Sequence, residues 1–216
     1  IARYYHQKGL KVSGYDKTPS ELTHALESEG IEVHYEDNIK FVPENIEETL
    51  VVYTPAIPKD MGELVYVQEK GYRVIKRSRM LGEIAEGQRC LAVAGTHGKT
   101  TTSTLLAHIF QDSGEGCSAF LGGISKNYDT NLLVSRNETI VAEADEFDRS
   151  FHHLSPYITA ITSTDPDHLD IYGTKEAYLE SFSHYTSLIQ PGGALVVHEG
   201  LEMKPRLQSS VNLYTY

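Results

Sequence analysis

The stretch "CLAVAGTHGKTTTSTLLAHIF", residues 90–110, constrains this chain more than any other. A short apolar run leads into a turn flanked by Gly95 and Gly98, and Leu105, Leu106 and Ile109 then recur at helical spacing. A strand, a glycine loop and a helix in that order aim unpaired N–H groups and the positive helix end at the loop, which suits an anion. In that frame Lys99 reaches the outer phosphates of a nucleotide and the Thr100 hydroxyl meets a magnesium ion. The strict spacing G-x-x-x-x-G-K-[ST] asks for glycine at 93, where this chain has Val93. Val93 therefore belongs to the incoming strand, and the working turn starts at Gly95. The plain alternative is a capped helix whose lysine faces solvent.

Phosphoryl transfer also needs acidic or imidazole groups for its metal. "TIVAEADEFDRS" predicts a strand over 139–142 that delivers Glu143, Asp145, Glu146 and Asp148 at its end. Some of these acids are expected to cap the next helix, and Asp148 with Arg149 also reads as a surface pair. "YITAITSTDPDHLDIYG" repeats the device, with a buried strand over 158–162 followed by Asp165, Asp167, His168 and Asp170. His168 taken alone reads more readily as a structural histidine, and the ligand reading gains weight from its neighbours. Three strands ending in ligand-capable residues match the carboxyl edge of an α/β sheet, where such folds bind ligands.

The amino-terminal part has a different rhythm. "IARYYHQKG" predicts a short helix stopped at Gly9, and "LKVSGYD" a strand ending at Asp16. In a dinucleotide-type unit the glycine fingerprint lies about 20 residues before such an acid, so a strand and glycine turn are expected ahead of Ile1. Asp16 is a candidate ribose or ligand acceptor, with an ordinary turn acid as the alternative. "SELTHALESEG", "IEVHYED", "LVVY", "GELVYVQEKG" and "YRVIKR" continue as helix, strand, strand, helix and strand, with Ser20 as a cap, a pattern that calls for a parallel sheet. Thr54 and Ala56 in "TPAIP" follow a strand's carboxyl end and are candidate substrate contacts, unless the prolines merely stiffen the connection. A helix in "RSRMLGEIAEGQ" carries the chain to Arg89, where a second domain is expected to start. Beyond it, "TKEAYLESFSHYTSLI" predicts a helix capped by Thr174 with Leu179, Phe182 and Leu188 as core anchors, and "GGALVVHEG" and "LYTY" read as strands.

Composition sets the outer bounds. The 216 residues allow one large domain or two smaller ones, and a net charge of -11 argues against non-specific nucleic-acid binding while leaving room for a local cationic pocket. Cys90 and Cys117 give neither a disulfide framework nor zinc spacing and read as buried thiols of a cytoplasmic protein. No apolar run reaches the roughly 18 residues that span a bilayer.

"GTHGKTTT", "EADEFDRSF", "DPDHLDIY" and "VVYTPAIP" together resemble the Mur ligase family. The resemblance implies an α/β chain: a Rossmann-like parallel-sheet domain over 1–88 that binds a UDP-sugar, then a partial P-loop α/β domain over 89–216 that binds ATP. It implies ATP- and Mg2+-dependent joining of L-alanine to UDP-N-acetylmuramate through an acyl phosphate, in cytoplasmic peptidoglycan precursor synthesis. A peptide-recycling relative and a non-catalytic nucleotide-binding module are the alternatives. Carried onto this chain, Gly95, Thr96, His97, Gly98, Lys99, Thr100 and Thr101 hold ATP. Thr100, Glu143 and His168 hold magnesium; Lys99, Glu143 and His168 are catalytic; Asp16, Thr54 and Ala56 line the UDP-sugar site. A further carboxyl-terminal domain is expected to complete the site. The chain departs from the family pattern at Ser163, where asparagine is usual, at Met61–Gly62–Glu63 in place of "NPE", and at Phe147 in place of serine.

Overall fold

A computed structural model describes all 216 residues, and they divide into two compact units, Ile1–Met80 and Leu81–Tyr216. The division falls inside a helix, ahead of the Arg89 seam expected from sequence.

The first unit contains helix α1 (Ala2–Gln7) and two strand-helix-strand repeats. In one, β1 (Ser13–Tyr15), α2 (Glu21–Ser28) and β2 (Glu32–His34) form a parallel pair with Tyr15 opposite His34. Ser20 caps α2 as read from sequence: its hydroxyl accepts the Thr23 N–H at 3.2 Å while Thr23 Oγ1 accepts the Ser20 N–H at 2.8 Å. In the other, β3 (Leu50–Tyr53), α3 (Gly62–Glu69) and β4 (Arg73–Lys76) form a second parallel pair. The parallel sheet expected here is thus two separate two-stranded sheets. Each crossover helix returns its strand beside the one before it. The connection from β2 to β3 carries only a 3₁₀ turn, Ile39–Phe41, and creates no ladder between the pairs.

The Met61–Gly62–Glu63 departure acquires a reason in this unit. The Asp37 carboxylate caps α3 from a distance in sequence, accepting the N–H groups of Gly62 at 2.7 Å and Glu63 at 2.9 Å. Proline at 62 has no N–H to give. Glu63, nearly buried, in turn accepts from Asn38 N–H at 2.9 Å and bonds His34 Nε2 at 2.9 Å. Beneath them Leu64, Val67 and Tyr72 form a small core with Val51, Tyr53 and Val74.

The second unit is built on one seven-stranded sheet. Helix α4 (Arg77–Ala85) leads to β5 (Arg89–Ala94), α5 (Lys99–Asp112), the hairpin β6 (Ser118–Ser125) and β7 (Thr130–Leu133), β8 (Thr139–Ala144), a 3₁₀ segment (Phe147–His153), β9 (Ile158–Ile161), the short α6 (Leu169–Tyr172), α7 (Lys175–Thr186), β10 (Ala194–Val197) and β11 (Asn212–Thr215). The strand order is β11-β10-β9-β5-β8-β6-β7, parallel throughout except for the β6–β7 edge. The central strand β5 is buried from Cys90 to Ala94, as an apolar run covered on both faces must be. Both thiols are buried, and burial pushes Cys90 up to about 12 and Cys117 to about 11.

Two readings of the core are corrected. On α5 the inward face is Ser103 and Ala107 with Leu106 and Phe110 against the sheet, whereas Leu105 is 57% and Ile109 63% exposed. Leucines at 105 and 106 point about 100° apart on the helix, and only the Leu106 side turns toward the sheet, a choice that spacing alone did not make. On α7, capped by Thr174 as expected, the fully buried anchors are Tyr178, Phe182 and Tyr185, while Leu179 and Leu188 are half-buried.

Candidate functional site

Register brings the three sequence motifs to one place. Ala94 at the end of β5 lies opposite Ala144 at the end of β8 and Ile161 at the end of β9. The segments starting at Gly95, Asp145 and Thr162 therefore leave the sheet side by side at its carboxyl edge, with the chain running to opposite sides of β5. A switch of this kind opens the crevice in which α/β sheets bind ligands.

The loop itself tolerates little variation. Gly95 has φ +127°, and a Cβ there would stand 2.3 Å from Thr162 Oγ1 and 2.8 Å from Ser163 N. Ser163, the residue that departs from the family's asparagine, accepts the Thr96 N–H with its carbonyl at 3.2 Å and the His97 N–H with its hydroxyl at 2.9 Å. Those two N–H groups are thereby committed within the protein, which narrows the cradle expected over residues 95–98. Gly98, at φ +82°, caps α5, and the helical ladder begins with Thr102 N–H on Gly98 O at 3.0 Å. The N–H groups of Lys99, Thr100 and Thr101 lie ahead of that ladder, where an anion is favoured.

Thr96 is fixed by its side chain. Its hydroxyl is 2.7 Å from Asp165 O and 2.8 Å from Tyr178 Oη. A carbonyl only accepts, so Thr96 donates to Asp165 and the Tyr178 phenol donates to Thr96. Burial holds the Tyr178 phenol far above its ordinary range, keeping that proton in place. Thr96 therefore anchors the loop through its hydroxyl.

Lys99 Nζ donates to Gly95 O at 2.7 Å and lies 2.8 and 3.0 Å from the two carboxylate oxygens of Glu146. Thr100 Oγ1 and Ser103 Oγ each donate to Glu143 at 3.1 Å, and the Gly122 N–H also donates to it. A Cβ on Gly122 would stand 2.5 Å from a Glu143 oxygen, so glycine there makes room for the carboxylate. Two of the three expected metal ligands, Thr100 and Glu143, are thus in contact. His168 stands after β9 in the left-handed region, φ 51°, with Nε2 3.8 Å from Asp167 and its ring edge-on to Phe147. Among the other acids, Asp145 accepts the N–H of Phe147, the first residue of the 3₁₀ segment, at 3.2 Å in a local turn.

The expected UDP-sugar residues lie in the first unit. Asp16 follows β1; its N–H donates to His34 O and its carboxylate accepts the Thr18 N–H at 3.1 Å. Thr54 follows β3 and its carbonyl accepts the Ile57 N–H in a tight turn that exposes Ala56. Each stands at the carboxyl end of a parallel pair. Sequence reading missed Ser103, Gly122, Glu146 as a partner of Lys99, and Tyr178. The Gly122–Gly123 doublet inside an apolar run was the available signal for the carboxylate pocket.

Comparison with known proteins bears on the family and the fold. Residues 1–89 match the Mur ligase family catalytic domain and residues 93–216 the Mur ligase middle domain. The chain is 60% identical to the UDP-N-acetylmuramate--L-alanine ligase of Phocaeicola vulgatus and 58% identical to that of Porphyromonas gingivalis, covering 100% of this chain and 48% of each relative. It thus spans about half the length of the curated relatives it matches. The UDP-N-acetylmuramate-alanine ligase MurC of Thermotoga maritima superposes with a TM-score of 0.82 at 26% identity, over 93% of this chain and 46% of that one. A UDP-N-acetylmuramate:L-alanyl-gamma-D-glutamyl-meso-diaminopimelate ligase from Neisseria meningitides shares the fold, with a TM-score of 0.84 at 24% identity over 93% of this chain and 67% of that one. Motifs, sheet order and both domain matches place the chain in the Mur ligase family.

Proposed function

We propose that this chain contributes the UDP-sugar-binding and ATP-binding parts of a cytoplasmic ligase that joins L-alanine to UDP-N-acetylmuramate. The observation that carries the reading is the contact of the loop residues Lys99 and Thr100 with the β8-end carboxylates Glu146 and Glu143, on a chain 60% identical to a protein named for that activity. In the proposed division, residues 1–88 hold the UDP-sugar, with Asp16, Thr54 and Ala56 against it, and residues 89–216 hold ATP.

The chemistry requires two anions, a carboxylate and a phosphoryl group, to approach each other, so positive charge must be fixed between them. Lys99 supplies one such charge, held by Gly95 O at 2.7 Å. Thr100 and Glu143 are hard oxygen donors 3.1 Å apart, a donor set that fits magnesium, which takes few protein ligands and completes its shell from phosphates and water. When bound, the ion would neutralise phosphate oxygens; Thr100 and Glu143 would hold it, and His168 with Glu143 a second ion. The N–H groups opening α5 would receive the phosphates. Transfer of the γ-phosphoryl group from ATP to the substrate carboxylate would release ADP and give an acyl phosphate; the neutral alanine amine would then attack its carbonyl carbon, forming the amide, expelling inorganic phosphate and losing a proton.

The test is an assay of the full-length protein with ATP, UDP-N-acetylmuramate and either L-alanine or a stem tripeptide. Alanine-dependent ADP release with formation of the UDP-sugar amide is expected. Product with the tripeptide alone would overturn the assignment in favour of a peptide ligase.

A further inference from the structure

Glu146 has no assigned part in this chemistry, yet it is the more deeply placed of the two glutamates at the loop. Its side chain is 2% exposed and that of its partner Lys99 17%. Both carboxylate oxygens face Lys99 Nζ, at 2.8 and 3.0 Å. The backbone around it is held on several sides. Its carbonyl accepts the Tyr172 hydroxyl and the Arg149 N–H, and the Arg149 guanidinium lies 4.7 Å from the Tyr172 ring centre. Asp148 and Arg149 just beyond it both adopt left-handed backbone, φ 51° and 55°. Two consecutive non-glycine residues in that region are uncommon and persist only where surroundings enforce them. The Glu146 carboxylate, just ahead of this turn, faces the ammonium of the loop lysine.

An ammonium has three protons to donate. Here one goes to Gly95 O and a second is shared by the Glu146 oxygens, leaving a third. Withdrawing Lys99 would strand a buried, unpaired carboxylate, which is strongly unfavourable. Lys99 is thereby tied to its place before any ligand arrives.

We propose that Glu146 is a positioning residue: it fixes the Lys99 ammonium at the loop so that one committed charge, with one N–H to spare, meets the incoming phosphate. This rests on the nucleotide reading of the loop. It differs from the roles proposed for Glu143, which faces Thr100 and Ser103 on the other side of the helix start.

The experiment measures the rate at which trinitrobenzenesulfonate modifies Lys99 in the full-length protein, read by peptide mass spectrometry, with exposed Lys17 and Lys59 as internal standards. Glu146→Gln keeps the shape of the side chain and removes its charge. Lys99 in the unsubstituted protein is expected to react at least tenfold more slowly than the standards, and Glu146→Gln to speed it about tenfold while leaving the standards unchanged. In turnover, Glu146→Gln is expected to lower kcat by more than tenfold with the KM for ATP within threefold. Glu146→Asp, which restores charge but not length, should recover slow modification in part. Unchanged Lys99 reactivity in Glu146→Gln would overturn the proposal. If that variant does not fold, Lys99 reacting as fast as the standards in the unsubstituted protein would do the same. Failure of ATP to protect Lys99 would instead count against the nucleotide reading, whatever the effect of Glu146→Gln.

Discussion

The two units solve the same problem, presenting groups at the carboxyl ends of parallel strands, with different degrees of reinforcement. In the second unit, β5 is flanked by β8 and β9 in a seven-stranded sheet, and the loop after it is bonded to Ser163, Thr162, Asp165 and Tyr178. In the first, each strand has one partner, and Asp16 is held by a local turn to Thr18. The phosphoryl transfer proposed for the second unit would gain from rigidity, because groups fixed beforehand need no reorganisation as the reaction proceeds. The second unit has that rigidity, and substitutions there should be far less tolerated.

The largest effect is expected from Gly95→Ala, which sets a Cβ 2.3 Å from Thr162 Oγ1 at φ +127°. Loss of stability by about 3 kcal/mol or more and loss of ATP binding should follow, measured by denaturant unfolding and calorimetry. Wild-type stability in this variant would show that the loop is not locked as described. Glu143→Ala and His168→Ala come next, with turnover falling about 10- to 100-fold and more magnesium needed for half-maximal rate. An unaltered magnesium dependence would make those residues structural.

A smaller, pH-dependent effect is expected at His152, whose ring stacks on Phe151 with centres 4.7 Å apart and bonds Ser181 O at 3.0 Å. Burial lowers its pKa most, and the nearby His184, Arg149 and His153 lower it further, against a raising contribution from the Ser181 carbonyl. The folded protein therefore prefers the neutral ring. That stability is present above the unfolded value of about 6.5 and is lost as pH falls below it. Thermal melts should show a decline on acidification that is shallower in His152→Gln; identical pH profiles would contradict the reading. Smallest of all, Asp16→Ala should change stability by no more than about 0.5 kcal/mol, since its carboxylate is exposed. Its effect should appear in UDP-sugar affinity, and unchanged affinity would remove Asp16 from that site.

Much of this arrangement was legible in the sequence because strands that end in a sheet's crevice carry their ligands in fixed order. The loop after β5 and the Glu143 and His168 segments were readable as such. What escaped were relations that depend on where a side chain turns. Glu146 is one of four acids within six residues, and only its contacts at 2.8 and 3.0 Å in the folded chain reveal that it faces Lys99. The β6–β7 hairpin was not read at all: Gly122 and Gly123 interrupt its apolar alternation, and the ladder shifts register between Phe120 and Ser125. Ser163 departs from the family's asparagine in sequence, and only the structure shows that its short hydroxyl holds the His97 N–H.

In the proposed function Lys99 carries the positive charge that the loop presents to phosphate. The direct measurement is ATP turnover by full-length Lys99→Ala, alongside its affinity for UDP-N-acetylmuramate. A fall in kcat of about 10²- to 10³-fold, the scale for losing one transition-state donor, with UDP-sugar affinity unchanged, is expected. Turnover at the unsubstituted rate would contradict the account.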